Sequence, residues 1–297
     1  MSFRRGAALT TSTTLGFADN ADLGPSAGNG FYRRWPDDLA ALQDAGVTDL
    51  RLTLDWARLQ PKPGSLDSDW LERFEQMVSA STAIGMRTWA TLHDGSIPKW
   101  FDNEGGFDDN EAFARWWPRW VEVAADRFGD AVHGWVPFAE LPSGATTGPW
   151  RDTWTILEGV HPVIASIDAD TMPVAALDGH MDTIGLTLPV EWALDSDVGD
   201  RELESASVRW GQLIRDTADE VDAAAVAITG FEPRHGDAET AGRIVAQLVG
   251  SVDDAIHDGV GVDVCFLAPA IGSAESPVGL LDQDRAATPA SVAFLPR

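Results

Sequence analysis

Thr48-Asp49-Leu50-Arg51-Leu52-Thr53-Leu54 is a short apolar run of strand length, and the forty residues after it decide the fold. Downstream, Trp70, Leu71, Phe74, Met77 and Val78 fall at i, i+1, i+4, i+7 and i+8, a single face of a helix. Gly85 comes next, where a left-handed residue is wanted to close the helix. A second apolar run, Met86–His93, starts immediately after it. Strand, amphipathic helix and strand in this order make a βαβ unit, which implies a parallel sheet.

The same alternation extends in both directions. Further strands are expected at Gly6–Thr14, Val132–Phe138, Met172–Leu177, Thr183–Leu188, Ala223–Thr229 and Val262–Leu267, eight in all with the two above. Phe113, Trp116, Trp117, Trp120 and Val121 repeat the one-faced helical spacing, as do Ile244, Leu248, Val252 and Ile256. Gly46 and Gly259 punctuate helices as Gly85 does. The fold expected is a single (β/α)₈ TIM barrel over residues 1–297, a size this architecture commonly reaches as one domain. One unit is irregular. Leu177 and Thr183 lie too close for a crossover helix, since a parallel connection normally needs a dozen residues or more. Either the fifth βα unit is reduced or its strand lies elsewhere.

Composition excludes several classes of function. The net charge is −26, and Lys62 and Lys99 are the only lysines. Such a field repels phosphate backbones and anionic lipid, so neither nucleic acid nor membrane is expected as a partner. No apolar run approaches the roughly 20 residues that span a bilayer. Met1–Gly6 leads into mixed polar sequence without the apolar core of a signal peptide. The single cysteine, Cys265, lies in an apolar run and reads as core packing. Cytoplasmic residence is the expectation, and no signal for an oligomeric state is present.

Function in such a barrel belongs at the C-terminal ends of the strands. Read in order, these ends offer Arg51 and Asp55, His93 and Asp94, Glu140, Glu191 and Trp192, Glu232 and His235, and Glu275. Carboxylates dominate, and many of the 13 tryptophans lie nearby. Paired carboxylates suit glycoside chemistry, in which one acid protonates the leaving oxygen while another attacks or activates water. Aromatic faces pack on the apolar faces of sugar rings, and Trp100, Trp150, Trp154 and Trp192 are candidates for that. Trp116, Trp117 and Trp120 hold core spacing instead. The histidines lack the His-x-x-x-His spacing of a helical metal site. No metal and no cofactor is expected.

Several segments resemble glycoside hydrolase family 1, the β-glucosidase family. Phe3-x-x-Gly6-Ala7-Ala8 through Gly16 is similar to its first strand and turn. Asp38-Leu39, Gly46-Val47 and Arg51-Leu52-Thr53-Leu54-Asp55-Trp56-Ala57-Arg58-Leu59-Gln60-Pro61 resemble its second unit. Thr91-Leu92-His93-Asp94 resembles the third strand end, and Trp135-Val136-Pro137-Phe138-Ala139-Glu140 the run that normally ends in Asn-Glu-Pro. Ala227-Ile228-Thr229, Arg243-Ile244 and Asp254–Val260 are similar to the last two units. The likeness thins between about Pro149 and Met181. It implies a shortened, divergent member, with Glu140 at the general acid/base and Arg51 at the arginine that braces the nucleophile.

The departures fall on the site. Thr13 and Leu15 stand where the resemblance implies a sugar-binding Gln and a following Glu, and Asp94-Gly95 where it implies His-Trp. Ala139 and Leu141 flank Glu140 in place of Asn and Pro, and Thr187-Leu188 replaces Asn-Tyr. Ile228-Thr229-Gly230-Phe231-Glu232 stands for Ile-Thr-Glu-Asn-Gly, so the nucleophile position is Gly230. Ala268–Ser273 replaces the acidic and aromatic signature after the eighth strand.

The candidate catalytic residues are therefore Glu140, Arg51, Glu232 and Asp94, with His93, Trp192 and Trp100 as candidate substrate contacts. Glu232 or Asp94 could activate water opposite Glu140. Standard retaining β-glucosidase action is not expected. The alternatives are an altered glycoside hydrolase, a non-catalytic sugar-binding or scaffold barrel, and an enzyme using Glu140 for proton transfer on a non-sugar substrate. The ligand expected is a small molecule, with carbohydrate as the first class to test.

Overall fold

The computed structural model describes residues 3–18, 21–142, 148–159, 161–168, 172, 174–177, 179–190, 192, 196–221, 225–274 and 278–296. Eight parallel strands form one sheet: β1 Arg4–Leu9, β2 Asp49–Thr53, β3 Arg87–Thr91, β4 Gly134–Trp135, β5 Ile164–Asp168, β6 Thr183–Thr187, β7 Val226–Phe231 and β8 Val262–Leu267. Their order is β4-β3-β2-β1-β8-β7-β6-β5. A parallel bridge between Trp135 and Val163 joins the two outer strands, and the Trp135 N–H donates to Pro162 O at 2.8 Å. The sheet thus closes as a (β/α)₈ barrel.

Helices α1 Phe31–Asp44, α2 Ser68–Ala83, α3 Asn110–Phe128, α4 Pro149–Leu157, α5 Asp200–Glu220, α6 Ala238–His257 and α7 Pro289–Phe294 cover the outside. Each one-faced pattern is buried as its spacing demands: Phe74, Met77 and Val78 of α2, Phe113, Trp117, Trp120 and Val121 of α3, and Ile244, Leu248 and Val252 of α6. Gly46, Gly85 and Gly259 take positive φ values of 102°, 85° and 99° after their helices. At the start of α2 the Asp67 carboxylate accepts the N–H groups of Asp69 and Trp70. Asp67→Ala should therefore cost about 1 kcal/mol in chemical unfolding, the usual value of an N-cap.

Three strand expectations need correction. The first strand ends at Leu9, and Thr11–Leu15 forms a short helix. Its threonine hydroxyls turn back on the chain, Thr13 Oγ1 and Thr14 Oγ1 both donating to Thr10 O at 3.1 and 2.9 Å, a local bond that competes with the ladder. The fourth strand shrinks to Gly134–Trp135 because Pro137 has no N–H to continue it. Pro137 still accepts, through its carbonyl, from Leu92 and His93. The fifth strand is not Met172–Leu177, where Val174–Leu177 is a 3₁₀ turn. It is Ile164–Asp168, paired with β6 from Ile164↔Thr183 to Asp168↔Thr187. Among the described residues that 3₁₀ turn is the helical element of the crossover between them, so this unit is reduced as well as displaced.

The lumen is filled, not hollow. Ala8, Trp89, Val136, Ile164, Ala227, Val264, Phe266 and Ala268 pack together inside the ring. Two glycines make room for the large rings: a Cβ on Gly6 would lie 2.4 Å from Phe266, and one on Gly134 would lie 2.5 Å from Trp89. Below them sits a buried polar plug. Asp49, fully enclosed, accepts from Arg87 Nε and Nη2 at 3.1 and 3.0 Å and from Trp89 Nε1 at 2.9 Å. Among the described residues, no helix is long and apolar enough to cross a membrane.

Candidate functional site

With the lumen plugged, an open cavity of about 380 Å³ remains at the C-terminal mouth, and every strand contributes to it. β1 and β2 supply Thr10 and Arg51, and the turns after β3 and β4 supply Asp94, Ala139 and Glu140. β5 supplies Asp168, and β6 runs on through Thr187, Leu188, Pro189 and Val190. β7 adds Gly230, Glu232 and Arg234, and Ala268 follows β8. Four carboxylates and two guanidiniums therefore face one another. All four candidate catalytic residues, Glu140, Arg51, Glu232 and Asp94, are brought together here.

Glu140 is held through its backbone. Ala139 N donates to His93 O at 2.9 Å, Ser166 Oγ donates to Ala139 O at 2.6 Å, and Leu141 N donates to Ser166 O at 2.8 Å. Its carboxyl rises above the ordinary carboxylate range, chiefly through partial withdrawal from water and next through the negative charge of Asp168, with Arg234 opposing. That direction favours the protonated form that a proton donor needs.

Arg51 lies at the floor, 3% exposed. Its Nη1 donates to Thr229 O at 2.7 Å, while its buried Nε has no hydrogen-bond partner. Burial lowers the affinity of this guanidinium for its proton, and the charge of Asp94 works in the other direction. A Cβ built on Gly230 would lie 3.5 Å from Arg51 Nη1, with open space rather than a clash beyond it. Asp94 is already engaged: its Oδ2 accepts from Thr11 N at 2.9 Å and from Thr53 Oγ1 at 3.4 Å. Glu232 lies 3.9 Å from Arg234 Nε, and Arg234 takes an unusual φ of 44°. Trp192 Nε1 donates to Pro233 O at 3.1 Å, bracing that loop.

The three candidate substrate contacts lie elsewhere. His93 points away from the cavity into an aromatic box, its ring 4.5 Å from Phe107 and 6.1 Å from Phe138. Trp100 packs against Trp56 and Trp116 and donates from Nε1 to Gln60 O. Trp192 lines a separate surface hollow with Trp210, Glu202 and Arg209. Trp150 is buried with its Nε1 on His180 O, and Trp154 packs on the core. Asp55 pairs with Arg58 at 2.6 Å and caps the short helix Trp56–Leu59. His235 is satisfied by main chain, Nδ1 accepting from Asp237 N and Nε2 facing Ser196 O at 2.8 Å. Cys265 is buried in the core, its thiol pushed up to about 12 by burial. Glu191 and Glu275 lie outside the described residues. Among the described residues, no cluster of three His, Cys, Asp or Glu side chains is placed to hold a metal ion.

Asp168 and Arg234 were not among the sequence candidates. Asp168 carried a signal: it ends the apolar run Val163-Ile164-Ala165-Ser166-Ile167 just as Asp55 follows the β2 run.

Fold and mouth together define a filled (β/α)₈ barrel with a carboxylate-lined pocket at the C-terminal ends of its strands. Residues 17–192 match the sequence pattern of glycosyl hydrolase family 1. Rat lactase/phlorizin hydrolase is 24% identical over 218 residues, 69% of this chain and 11% of that protein. β-Glucosidase A of Thermotoga maritima is 26% identical over 132 residues, 44% of this chain and 29% of the relative. The β-glucosidase of an Agrobacterium species is 29% identical over 132 residues, 44% and 27%. Each alignment thus spans less than a third of the relative's own length. In three dimensions the family 1 β-glucosidase of T. maritima superposes with a TM-score of 0.72 at 14% identity, covering 94% of this chain and 90% of that one. The chain belongs to glycosyl hydrolase family 1.

Proposed function

We propose that the mouth binds a carbohydrate and that the two-step, covalent route of retaining glycosidases is closed in this chain, with Glu140 surviving as the proton donor. Gly230 carries the reading. It holds the sequence position of the family's nucleophile, its side-chain direction faces Arg51, and it has no carboxylate to attack an anomeric carbon. Small sugar-like ligands as a class are supported by relatives: T. maritima β-glucosidase has been solved with castanospermine and with deoxynojirimycin.

The chemistry left open is single displacement. Water adds to the anomeric carbon as the glycosidic C–O bond breaks, Glu140 gives its proton to the leaving oxygen, and a carboxylate takes a proton from the water. We assign that last role to Glu232, which directly follows the strand that carries Gly230, because Asp94 already accepts two hydrogen bonds. Asp168 has a different task, raising the acidity threshold of Glu140 through its charge. Turnover of a panel of nitrophenyl glycosides should be slow, should invert configuration, and should fall about 10²–10⁴-fold in Glu140→Gln. Intact-mass detection of a covalent glycosyl adduct on the wild-type chain would overturn this assignment.

A second reading is favoured by the rest of the lining. Ala139, Leu188, Pro189, Val190 and Ala268 add apolar residues to the cavity lining, which fits proton transfer by Glu140 on a less polar substrate. It predicts Glu140-dependent turnover of such a substrate and none across the glycoside panel.

A further inference from the structure

The floor of the cavity holds a buried cation that, among the described residues, no carboxylate touches directly, although the charge of Asp94 acts on it from farther off. Arg51 is almost completely enclosed, and a buried guanidinium is costly unless an anion meets it. Among the described residues no carboxylate oxygen lies within 4.0 Å of it. Its hydrogen bond runs to a neutral carbonyl, that of Thr229, and Nε is orphaned. Two other enclosed arginines are treated differently: Arg285 grips Asp38 at 2.8 Å through two nitrogens, and Arg58 is held by Asp22 and Asp55. The space that a side chain at residue 230 would occupy opens directly onto Arg51, and both residues line the cavity.

We infer that the Arg51–Gly230 recess is an anion seat that receives a carboxylate from outside the chain, either one carried by a sugar acid or a free small carboxylate. A planar guanidinium matches two carboxylate oxygens, so this anion fits better than a spherical halide. Two acids among the described residues of the rim are engaged by other groups: Asp94 is bound to Thr11 and Thr53, and Glu232 faces Arg234. The inference rests on the carbohydrate reading only for the sugar portion of the ligand. The seat itself stands on the buried cation.

Calorimetric titration of the intact wild-type chain with acetate and with its neutral isostere acetamide needs no variant. Acetate should bind at least tenfold more tightly. Gly230→Glu, which fills the seat with an internal carboxylate, should weaken acetate at least tenfold. Gly230→Ala places a methyl 3.5 Å from Arg51 Nη1, inside the seat, and should weaken acetate less than Gly230→Glu does. Glucuronate binding at least tenfold more tightly than glucose, and displaced by acetate, identifies the ligand's own carboxylate as the occupant. Equal binding of the two sugars with acetate still bound identifies a free ion. If neither sugar binds while acetate does, the carbohydrate reading fails and the seat stands. Acetate no tighter than acetamide, with glucuronate no tighter than glucose, overturns the inference.

Discussion

Asp49→Ala should lower the unfolding free energy by about 3–5 kcal/mol, the range found when one partner of a buried ionic network is removed. Asp49 opens β2 and is fully enclosed beneath the lumen core. One carboxylate there serves four neighbours: Arg87 through two bonds, Trp89 Nε1 at 2.9 Å, Thr48 Oγ1 at 2.8 Å, and Arg4 Nε at 3.4 Å. Alanine would leave the Trp89 N–H without an acceptor inside the barrel and remove a counter-charge from Arg87 and from Arg4, which keeps Asp263 at 2.8 Å. Arg87 is half-exposed and can turn to water, which limits the loss. Trp89 cannot turn, because its ring is wedged between Gly134 and Phe266. Asp49→Asn retains an acceptor for Trp89 and should fall between wild type and Asp49→Ala. Urea unfolding gives the measurement. A change below about 1 kcal/mol for Asp49→Ala would show that the network contributes little and that packing alone holds the barrel floor.

The fold was legible where a repeating period gave it redundancy. The helical faces of α2, α3 and α6 each carry several residues at one spacing, so a single ambiguous position does not change the reading. Short apolar runs have no such redundancy. Met172–Leu177 and Val163–Ile167 are both plausible strands in isolation, and Ala165 and Ser166 make the true one look weaker. What separates them is ladder pairing with β6, a non-local fact. Thr11–Leu15 failed for another reason. Its β-branched residues favour a strand, but their hydroxyls close a turn on Thr10.

Legibility of the site followed that of the strands. Arg51, Asp94, Glu140 and Glu232 end, or closely follow, strands that could be placed, and they meet in one cavity. Asp168 ends the strand that could not. Direction was the harder problem. His93 and Asp94 are neighbours in the chain, yet Asp94 enters the cavity and His93 enters the aromatic box behind it. Successive residues of an extended chain point to opposite sides, so proximity to a strand end does not by itself make a residue part of the site. The sequence shows a glycine at residue 230, where the resemblance implies the nucleophile. The lack of a carboxylate in direct contact with Arg51 among the described residues was not legible in it, since that depends on what every other strand places there.

The aromatic box makes His93 a source of acid sensitivity. Its Nδ1 is buried without a partner, and its pKa is lowered to about 4, burial outweighing the charge of Asp94 and a main-chain bond at Ser96. The ring is neutral in the folded chain at pH 7, whereas an unfolded histidine titrates near 6.5. Between these values the unfolded state binds more protons, so stability rises with pH. The contribution is complete above about pH 6.5 and is lost as pH falls to about 4. A separation of this size corresponds to about 3 kcal/mol. His93→Phe keeps a flat ring between Phe107 and Phe138 and removes the titrating nitrogen. Its stability relative to wild type should therefore improve by about 3 kcal/mol between pH 7 and pH 4, measured by urea unfolding at both. Carboxylates remote from the ring act on both proteins alike and cancel in the difference, which leaves the His93–Asp94 pair as the source of the change. Parallel pH profiles for the two would mean that water reaches His93 and that the box is not closed.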